Sequence, residues 1–259
     1  MRTLSFWKYQ GTGNDFIMVD NREGVFDAQN LEQVRQLCDR HFGIGADGLI
    51  LIQEHAEHDF EMIYFNADGS QSLCGNGSRC AMMYARQLGM ITDRATFLAY
   101  DGAHEAYIKD ERVHLKMHDV EPVRTVGADS FADTGSPHHL VWVEAVAEAA
   151  VVPQGREIRH RAEYAPGGTN VNFVEVEPEG GLKVRTYERG VEDETYSCGT
   201  GVTAAALAAS DRGLSSPIRV TTLGGGLEVS FKKRPDNGFT DVYLIGPALP
   251  VFQGSVNLN

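Results

Sequence analysis

The chain has 259 residues, 42% of them hydrophobic and 23% charged, enough for one large or two ordinary domains with a sizeable core. Its formal charge of −13 argues against nucleic acid or an anionic membrane as partner, since both need a basic face, although a single well-placed arginine still admits an anionic small substrate. The N-terminus lacks the apolar core of a signal peptide, no apolar run nears the roughly 18 residues of a membrane helix, and four cysteines make no disulfide framework. A reduced cytoplasm is therefore expected.

Along the chain, apolar runs bounded by turn residues predict strands over Leu4–Tyr9 and Phe16–Asp20. A helix follows over Asn30–Cys38, with Leu31, Val34, Leu37 and Cys38 on one face behind an Asn30 cap. Strands are next expected over Leu49–Ile52 and Met62–Phe65, then an alanine-rich helix over Gly75–Leu88 ending at Gly89. After strands over Ala95–Tyr100 and Val113–Met117, Glu121-Pro122 reads as a linker near the midpoint. The second half offers strands over Leu140–Val143, Val171–Val176 and Leu182–Tyr187, a helix over Gly199–Asp211 before Gly213, and strands over Ile218–Thr222, Leu227–Phe231 and Val242–Ile245. The Gly75 and Gly199 helices are nearly apolar all round, the mark of a helix enclosed by other structure.

Those two helices expose an internal repeat. Cys74-Gly-Asn-Gly aligns with Cys198-Gly-Thr-Gly without a gap, and the following alanines agree. A weaker echo pairs Asp15-Phe-Ile-Met-Val with Asn172-Phe-Val-Glu-Val. The expected fold is α/β (α+β): two pseudo-symmetric halves, each a curved mixed sheet or barrel around a central helix, with the active site in the cleft between them.

Cysteine at a helix N-terminus has its thiolate stabilised by unpaired N–H groups and the helix dipole. The glycines at +1 and +3 admit close approach of a ligand, and the same N–H groups hold a carboxylate. Two such sites related by a repeat suit stereoinversion: one thiolate removes an α-proton while the other thiol delivers one. The usual alternative, a pyridoxal phosphate Schiff base, needs a lysine. None of Lys8, Lys109, Lys116, Lys183, Lys232 and Lys233 lies in a setting that suggests one, so no cofactor is expected. Cys38 and Cys80 read as buried structural residues, and a Cys74–Cys80 disulfide is disfavoured by the helix between them.

Over nearly its whole length the chain resembles the diaminopimelate epimerase family. The motifs are Gly11-Thr-Gly-Asn-Asp-Phe16, Gly43-Ile-Gly-Ala-Asp-Gly48, Phe65-Asn-Ala-Asp-Gly-Ser70, Cys74-Gly-Asn-Gly-Ser-Arg-Cys80, Pro137-His138, Thr169-Asn-Val-Asn-Phe173, Tyr187-Glu-Arg-Gly190 and Cys198-Gly-Thr-Gly201. The resemblance implies an isomerase that interconverts LL- and meso-diaminopimelate for lysine and peptidoglycan synthesis, without metal or pyridoxal phosphate. It implies Cys74 and Cys198 as the reacting pair, and Gly75-Asn76 and Gly199-Thr200 as the cradle of the reacting carboxylate. Asn14, Asn66 and Asn170 would bond the substrate's polar groups, and Arg189 its distal carboxylate. Glu188 would face an ammonium and, with His138, set the protonation of the thiols. A homodimer is implied, as is a division into 1–118 plus the returning C-terminal strand 250–259, and 119–249. The chain departs from the family at Ser136, where asparagine is common, at Gly48, where some members carry glutamine, and in the longer acidic stretch Val191–Thr195.

Two decoys fall away. Gly43-Ile-Gly45-Ala-Asp-Gly48 matches a dinucleotide fingerprint but follows a helix and precedes a strand, the reverse of what that motif needs. His55 and His58 have tolerable metal spacing but lie in a solvated stretch, so no metal site is expected. The rivals are a proline racemase-like or phenazine-pathway-like isomerase on the same architecture, and, from other classes, a thiol redox protein or a non-catalytic binding domain. A cyclic amino acid offers Arg189 no distal carboxylate, and no C-x-x-C pair is present.

Overall fold

Phe16–Val19 and Leu49–Ile52, two runs of four apolar residues, are wholly buried in the computed structural model, which describes residues 2–258. They lie on strands covered on both faces, which is why their sequence is continuous rather than alternating. Ile17, Val19, Leu49 and Leu51 join Val34, Leu37 and Cys38 of the first helix, while Ile50 turns to the other side, toward Gly77. Each such side chain contributes roughly 1.5–3 kcal/mol by leaving water.

The chain divides into two compact units, Met1–Leu115 with Pro247–Asn259, and Lys116–Gly246. The first contains β1 (Arg2–Gly11), β2 (Asn14–Asp20), α1 (Leu31–Cys38), β3 (Gly48–Gln53), β4 (Phe60–Asn66), α2 (Gly75–Gln87), β5 (Arg94–Ala99), β6 (Gly102–Lys109) and β7 (Arg112–Lys116). The second contains β8 (Arg124–Val126), β9 (Asp129–Asp133), β10 (Pro137–Trp142), α3 (Val151–Arg159), β11 (Asn170–Val176), β12 (Leu182–Glu188), β13 (Asp193–Thr195), α4 (Gly199–Ser210), β14 (Ile218–Thr222), β15 (Gly225–Lys233) and β16 (Phe239–Gly246). The chain closes with β17 (Leu249–Leu258), antiparallel to β1.

Pairing repeats between the units. In the first, β1–β2 is antiparallel, β2–β3 parallel, β3–β4 antiparallel, β4–β5 parallel, and β5–β6 and β6–β7 antiparallel. In the second the same series runs β9–β10, β10–β11, β11–β12, β12–β14, β14–β15 and β15–β16, with β13 as an insertion. The registers Ile17–Leu49–Phe65 and His139–Val171–Tyr187 then coincide, each pair 122 positions apart (17/139, 49/171, 65/187). Each unit is a mixed sheet wrapped around one central helix, α2 or α4, whose residues are almost all buried. The α+β class with two pseudo-symmetric halves therefore holds.

The repeat corrects the weaker echo read from sequence. Asp15–Val19 lies on β2, whose counterpart is β10, whereas Asn172–Val176 lies on β11, the counterpart of β3. The expected helices over Asn30–Cys38, Gly75–Leu88 and Gly199–Asp211 appear within a residue, and the Asn30 side chain accepts from Gln33 N as its cap. Helix α3 was not anticipated. Its Pro153 falls in the first turn, where no N–H is needed, and its Gly155 lies where a side chain would strike Tyr187. Strand β6 was missed because its inward positions are His104, Ala106 and Ile108, a weak apolar signal. Among the described residues no helix is long and apolar enough to cross a membrane.

Candidate active site

Cys74 and Cys198 are the N-cap residues of α2 and α4, both with extended backbone. None of the four cysteines is in a disulfide. Burial pushes the Cys38 thiol up to about 12 and raises Cys80 further, so neither ionises readily. The two helix-end cysteines are the chemically distinct pair.

In the first unit a two-residue hairpin brings Asn14 to Cys74. Thr12 and Gly13 both have positive φ (49° and 84°), as a turn matching the strand twist requires. Gly11 packs closely on the start of α2, where a Cβ would sit 3.1 Å from Asn76 O and need a shift of a few tenths of an ångström. Asn14 Nδ2 donates to Asp47 Oδ2 at 2.6 Å, and Asn14 Oδ1 accepts from Cys74 Sγ at 3.5 Å and Asn76 Nδ2 at 3.4 Å. Gly77 N in turn donates to Cys74 Sγ at 3.4 Å. Asn76 is oriented by Arg79, whose Nη2 donates to Asn76 Oδ1 at 3.0 Å and to Thr12 Oγ1 at 3.1 Å. Arg79 is fully buried; burial lowers its pKa to about 10, against the opposing pull of Cys80 and Cys74.

Asp47 is itself braced. Arg40 bridges Asp47 and Asp15, each at 2.7 Å, and Lys8 pairs with Asp15 at 2.7 Å. Burial alone would raise Asp15, but the Arg40 and Lys8 bonds outweigh it and bring it to about 2. Asn66 is placed differently from Asn14. At the end of β4 it accepts from Tyr64 Oη at 2.8 Å and spends its amide on Ser70 and Ser72, within its own loop.

In the second unit His138 on β10 and Asn172 on β11 lie beneath the start of α4. His138 Nε2 is 2.9 Å from Thr200 Oγ1, Thr200 Oγ1 is 3.5 Å from Cys198 Sγ, and Asn172 Nδ2 is 3.1 Å from His138 Nδ1. Burial, and then the Arg189 guanidinium, push His138 from 6.5 down to about 3, so its ring is neutral at physiological pH. Thr134 Oγ1 donates to Thr200 O at 2.9 Å and fixes the first turn.

Asn170 ties β10 to the turn after β12, donating to Pro137 O at 3.1 Å and accepting from Arg189 N at 2.8 Å. Its amide positions Arg189. Glu188 Oε2 accepts from Thr195 Oγ1 at 2.7 Å. The half-buried Arg189 guanidinium makes no ion pair among the described residues. The acidic stretch before Cys198 is anchored by two arginines: Arg159 to Glu192 at 3.0 Å and Arg185 to Glu194 at 2.6 Å.

Asp47, Arg79 and Asn172 escaped the sequence reading. Asp47 lay inside the glycine motif dismissed as a decoy. Asn172 shares a strand face with Asn170, a period-two relation that could have found it. Tyr64 fills the space next to Gly48, where a Cβ would lie 2.4 Å from its ring, so any longer side chain there is excluded.

A family model described as diaminopimelate epimerase matches residues 6–123 and 130–249. The diaminopimelate epimerase of Flavobacterium psychrophilum is 46% identical, covering 98% of this chain and 100% of its own. That of Chlorobaculum tepidum is 44% identical, covering 96% and 99%. Among solved structures, a Bacillus anthracis phenazine biosynthesis protein of the PhzF family superposes with a TM-score of 0.80 at 12% identity, both chains fully covered. A hydroxyproline epimerase from Agrobacterium vitis gives 0.70 at 16% identity, over 98% and 92%. These two likenesses are of fold alone, whereas the sequence relatives span the full chain: it belongs to the diaminopimelate epimerase family.

Proposed function

We propose that this chain interconverts LL-2,6-diaminopimelate and meso-diaminopimelate by a two-thiol proton transfer, in the cytoplasm, as a homodimer serving lysine and peptidoglycan precursor synthesis. The observation that carries the mechanism is the duplication: cysteine stands at the same N-cap of the same central helix in both units. One thiolate takes the α-proton, and the other thiol returns a proton from the opposite face of the carbon.

An α-proton beside a carboxylate is a weak acid, so charge developing on that carboxylate must be stabilised. The N–H groups of Gly75-Asn76 and Gly199-Thr200 are fixed dipoles suited to this, and they need no rearrangement as the charge forms. The scheme requires neither metal nor pyridoxal phosphate. Arg189, a guanidinium without a carboxylate partner among the described residues, suits the distal carboxylate, and Glu188 an ammonium. Asn14 and Asn76 present oriented amides beside Cys74, with Asn66 at the neighbouring strand end and Asn170 holding Arg189. Glu188 and His138 set the protonation of the thiols.

The test is incubation of reduced protein with LL-diaminopimelate in heavy water, alongside Cys74→Ala and Cys198→Ala. Exchange of the α-proton together with formation of the meso isomer, lost in either variant, supports the proposal. Exchange with proline but not diaminopimelate keeps the chemistry and overturns the substrate. No exchange with any amino acid overturns both.

A further inference from the structure

The hydrogen bonds from Asn172 to Thr200 run in one direction, and the chemistry of their members fixes which. Asn172 Oδ1 accepts from Thr186 Oγ1 at 2.9 Å, and Asn172 Nδ2 lies 3.3 Å from His139 O, a pure acceptor. The amide therefore has its NH2 group toward His138, and an NH2 group only donates. His138 Nδ1 must accept, which leaves the ring proton of the neutral imidazole on Nε2. Nε2–H then donates to Thr200 Oγ1, which lies 3.5 Å from Cys198 Sγ, so that once Cys198 is a thiolate, which only accepts, the Thr200 hydroxyl is the donor between them.

In the first unit the positions that form this chain carry other side chains. The counterparts of His138, Asn172 and Thr186 are Phe16, Ile50 and Tyr64, by the shared register. The glycines of the two helix starts report the same exchange: a Cβ on Gly77 would meet Ile50 at 3.1 Å, and one on Gly201 would meet Asn172 Oδ1 at 2.3 Å. At Cys74 a backbone N–H caps the sulfur, whereas at Cys198 no cap from its own side chain to the helix forms. Thr200 supplies a donor in its place.

We propose that Thr200 is the hydroxyl donor that stabilises the Cys198 thiolate, held by a one-way relay from Asn172 through His138, and that His138 is a positioning residue that does not accept a proton. This rests on the two-thiol reading and specifies how one of its thiols is prepared. Titratable groups on the strands around the start of α4 are otherwise engaged: His139 with Asp129 and Tyr164, Asp133 with Gly135 N, Arg185 with Glu194, and Glu188 with Thr195. The Arg189 charge acts on His138 in the same sense as burial, favouring the neutral ring. A hydrogen bond to the charged form lowers a thiol pKa.

The test needs no substrate. In a Cys74→Ser background, with Cys38 and Cys80 buried, the pH dependence of iodoacetamide alkylation reports Cys198 ionisation. Thr200→Val is expected to raise the midpoint by about one pH unit, a roughly tenfold loss of thiolate at neutral pH. Thr200→Ser, which keeps the hydroxyl, retains the original midpoint. On the unmodified protein, nitrogen-15 NMR should find His138 protonated at Nε2, bare at Nδ1, and not titrating between about pH 5 and 8. Equal midpoints for Thr200→Val and Thr200→Ser, a proton on Nδ1, or titration of His138 in that range would each overturn the proposal. Failure of the epimerase reading itself would show separately, as absent α-proton exchange with the thiol titration intact.

Discussion

Asp47 Oδ2 receives the Asn14 amide at 2.6 Å, and because a carboxylate only accepts, it turns the Asn14 carbonyl oxygen toward Cys74. Arg79 does the converse from the other end: a guanidinium only donates, so Asn76 presents its oxygen to Arg79 and its NH2 group to Asn14. The two amides beside Cys74 thus have one orientation each. Asp47→Ala removes the first constraint and is expected to lower kcat/KM for diaminopimelate about tenfold, equivalent to ~1.4 kcal/mol. Steady-state kinetics with an unchanged circular dichroism spectrum would check it. An unaltered kcat/KM would mean that Asn14 does not depend on Asp47.

Packing makes a prediction of a different kind. Gly155 of α3 faces Tyr187 so closely that a Cβ would lie 2.4 Å from the Tyr187 Cβ, and Tyr187 is wholly buried. Gly155→Ala forces helix and strand apart and should cost about 1–3 kcal/mol. Gly48→Ala meets the Phe65 backbone oxygen and the Tyr64 ring, both at 2.4 Å, and should cost a similar amount, also about 1–3 kcal/mol. Thermal melts of both variants against Gly89→Ala would separate crowding from backbone strain, because Gly89 has positive φ (73°) and no neighbour within 4 Å.

The sequence made some of this legible and hid the rest for definable reasons. The repeated Cys-Gly-x-Gly identified α2 and α4 as central helices: α4 is apolar all round and has nowhere else to go, whereas α2 also buries Asn76, Ser78 and Arg79 and is legible as central through the repeat. It also located both candidate thiols. The strand repeat was not legible, since the same positions carry Phe16, Ile50 and Tyr64 in one unit and His138, Asn172 and Thr186 in the other. A shared backbone register tolerates that change of polarity, whereas an alignment of apolar patterns does not. Asp47 and Arg79 were hidden for another reason: each acts on an asparagine distant in sequence, and only tertiary structure supplies the pairing.

Acid should weaken the fold in two stages. His138 is depressed from 6.5 to about 3, so the unfolded chain binds a proton that the folded one refuses; the stability this represents is present above 6.5 and lost as pH falls toward 3. Asp15 is depressed from 3.8 to about 2, and its contribution is complete above 3.8 and lost as pH falls through 2. Urea midpoints measured against pH should therefore decline between 6.5 and 3 in the wild type and decline less in His138→Gln, which has no proton to refuse. Parallel profiles for the two proteins would remove His138 as the source.

On the proposed reading, Arg189 is the sharpest determinant of substrate. A half-buried guanidinium without an anionic partner among the described residues is desolvated in part and still free to take a carboxylate in a bidentate grip. Lysine keeps the charge but not the fork, so Arg189→Lys is expected to raise KM for diaminopimelate about tenfold, and Arg189→Ala about a hundredfold. The control is an amino acid without a distal carboxylate, such as lysine. Its slow α-proton exchange should be equally slow in all three proteins, since it never uses Arg189. A matching loss for lysine would place Arg189 at the reacting centre instead, acting on the α-carboxylate or on the thiols. In that event the preference for diaminopimelate would have to reside in another residue.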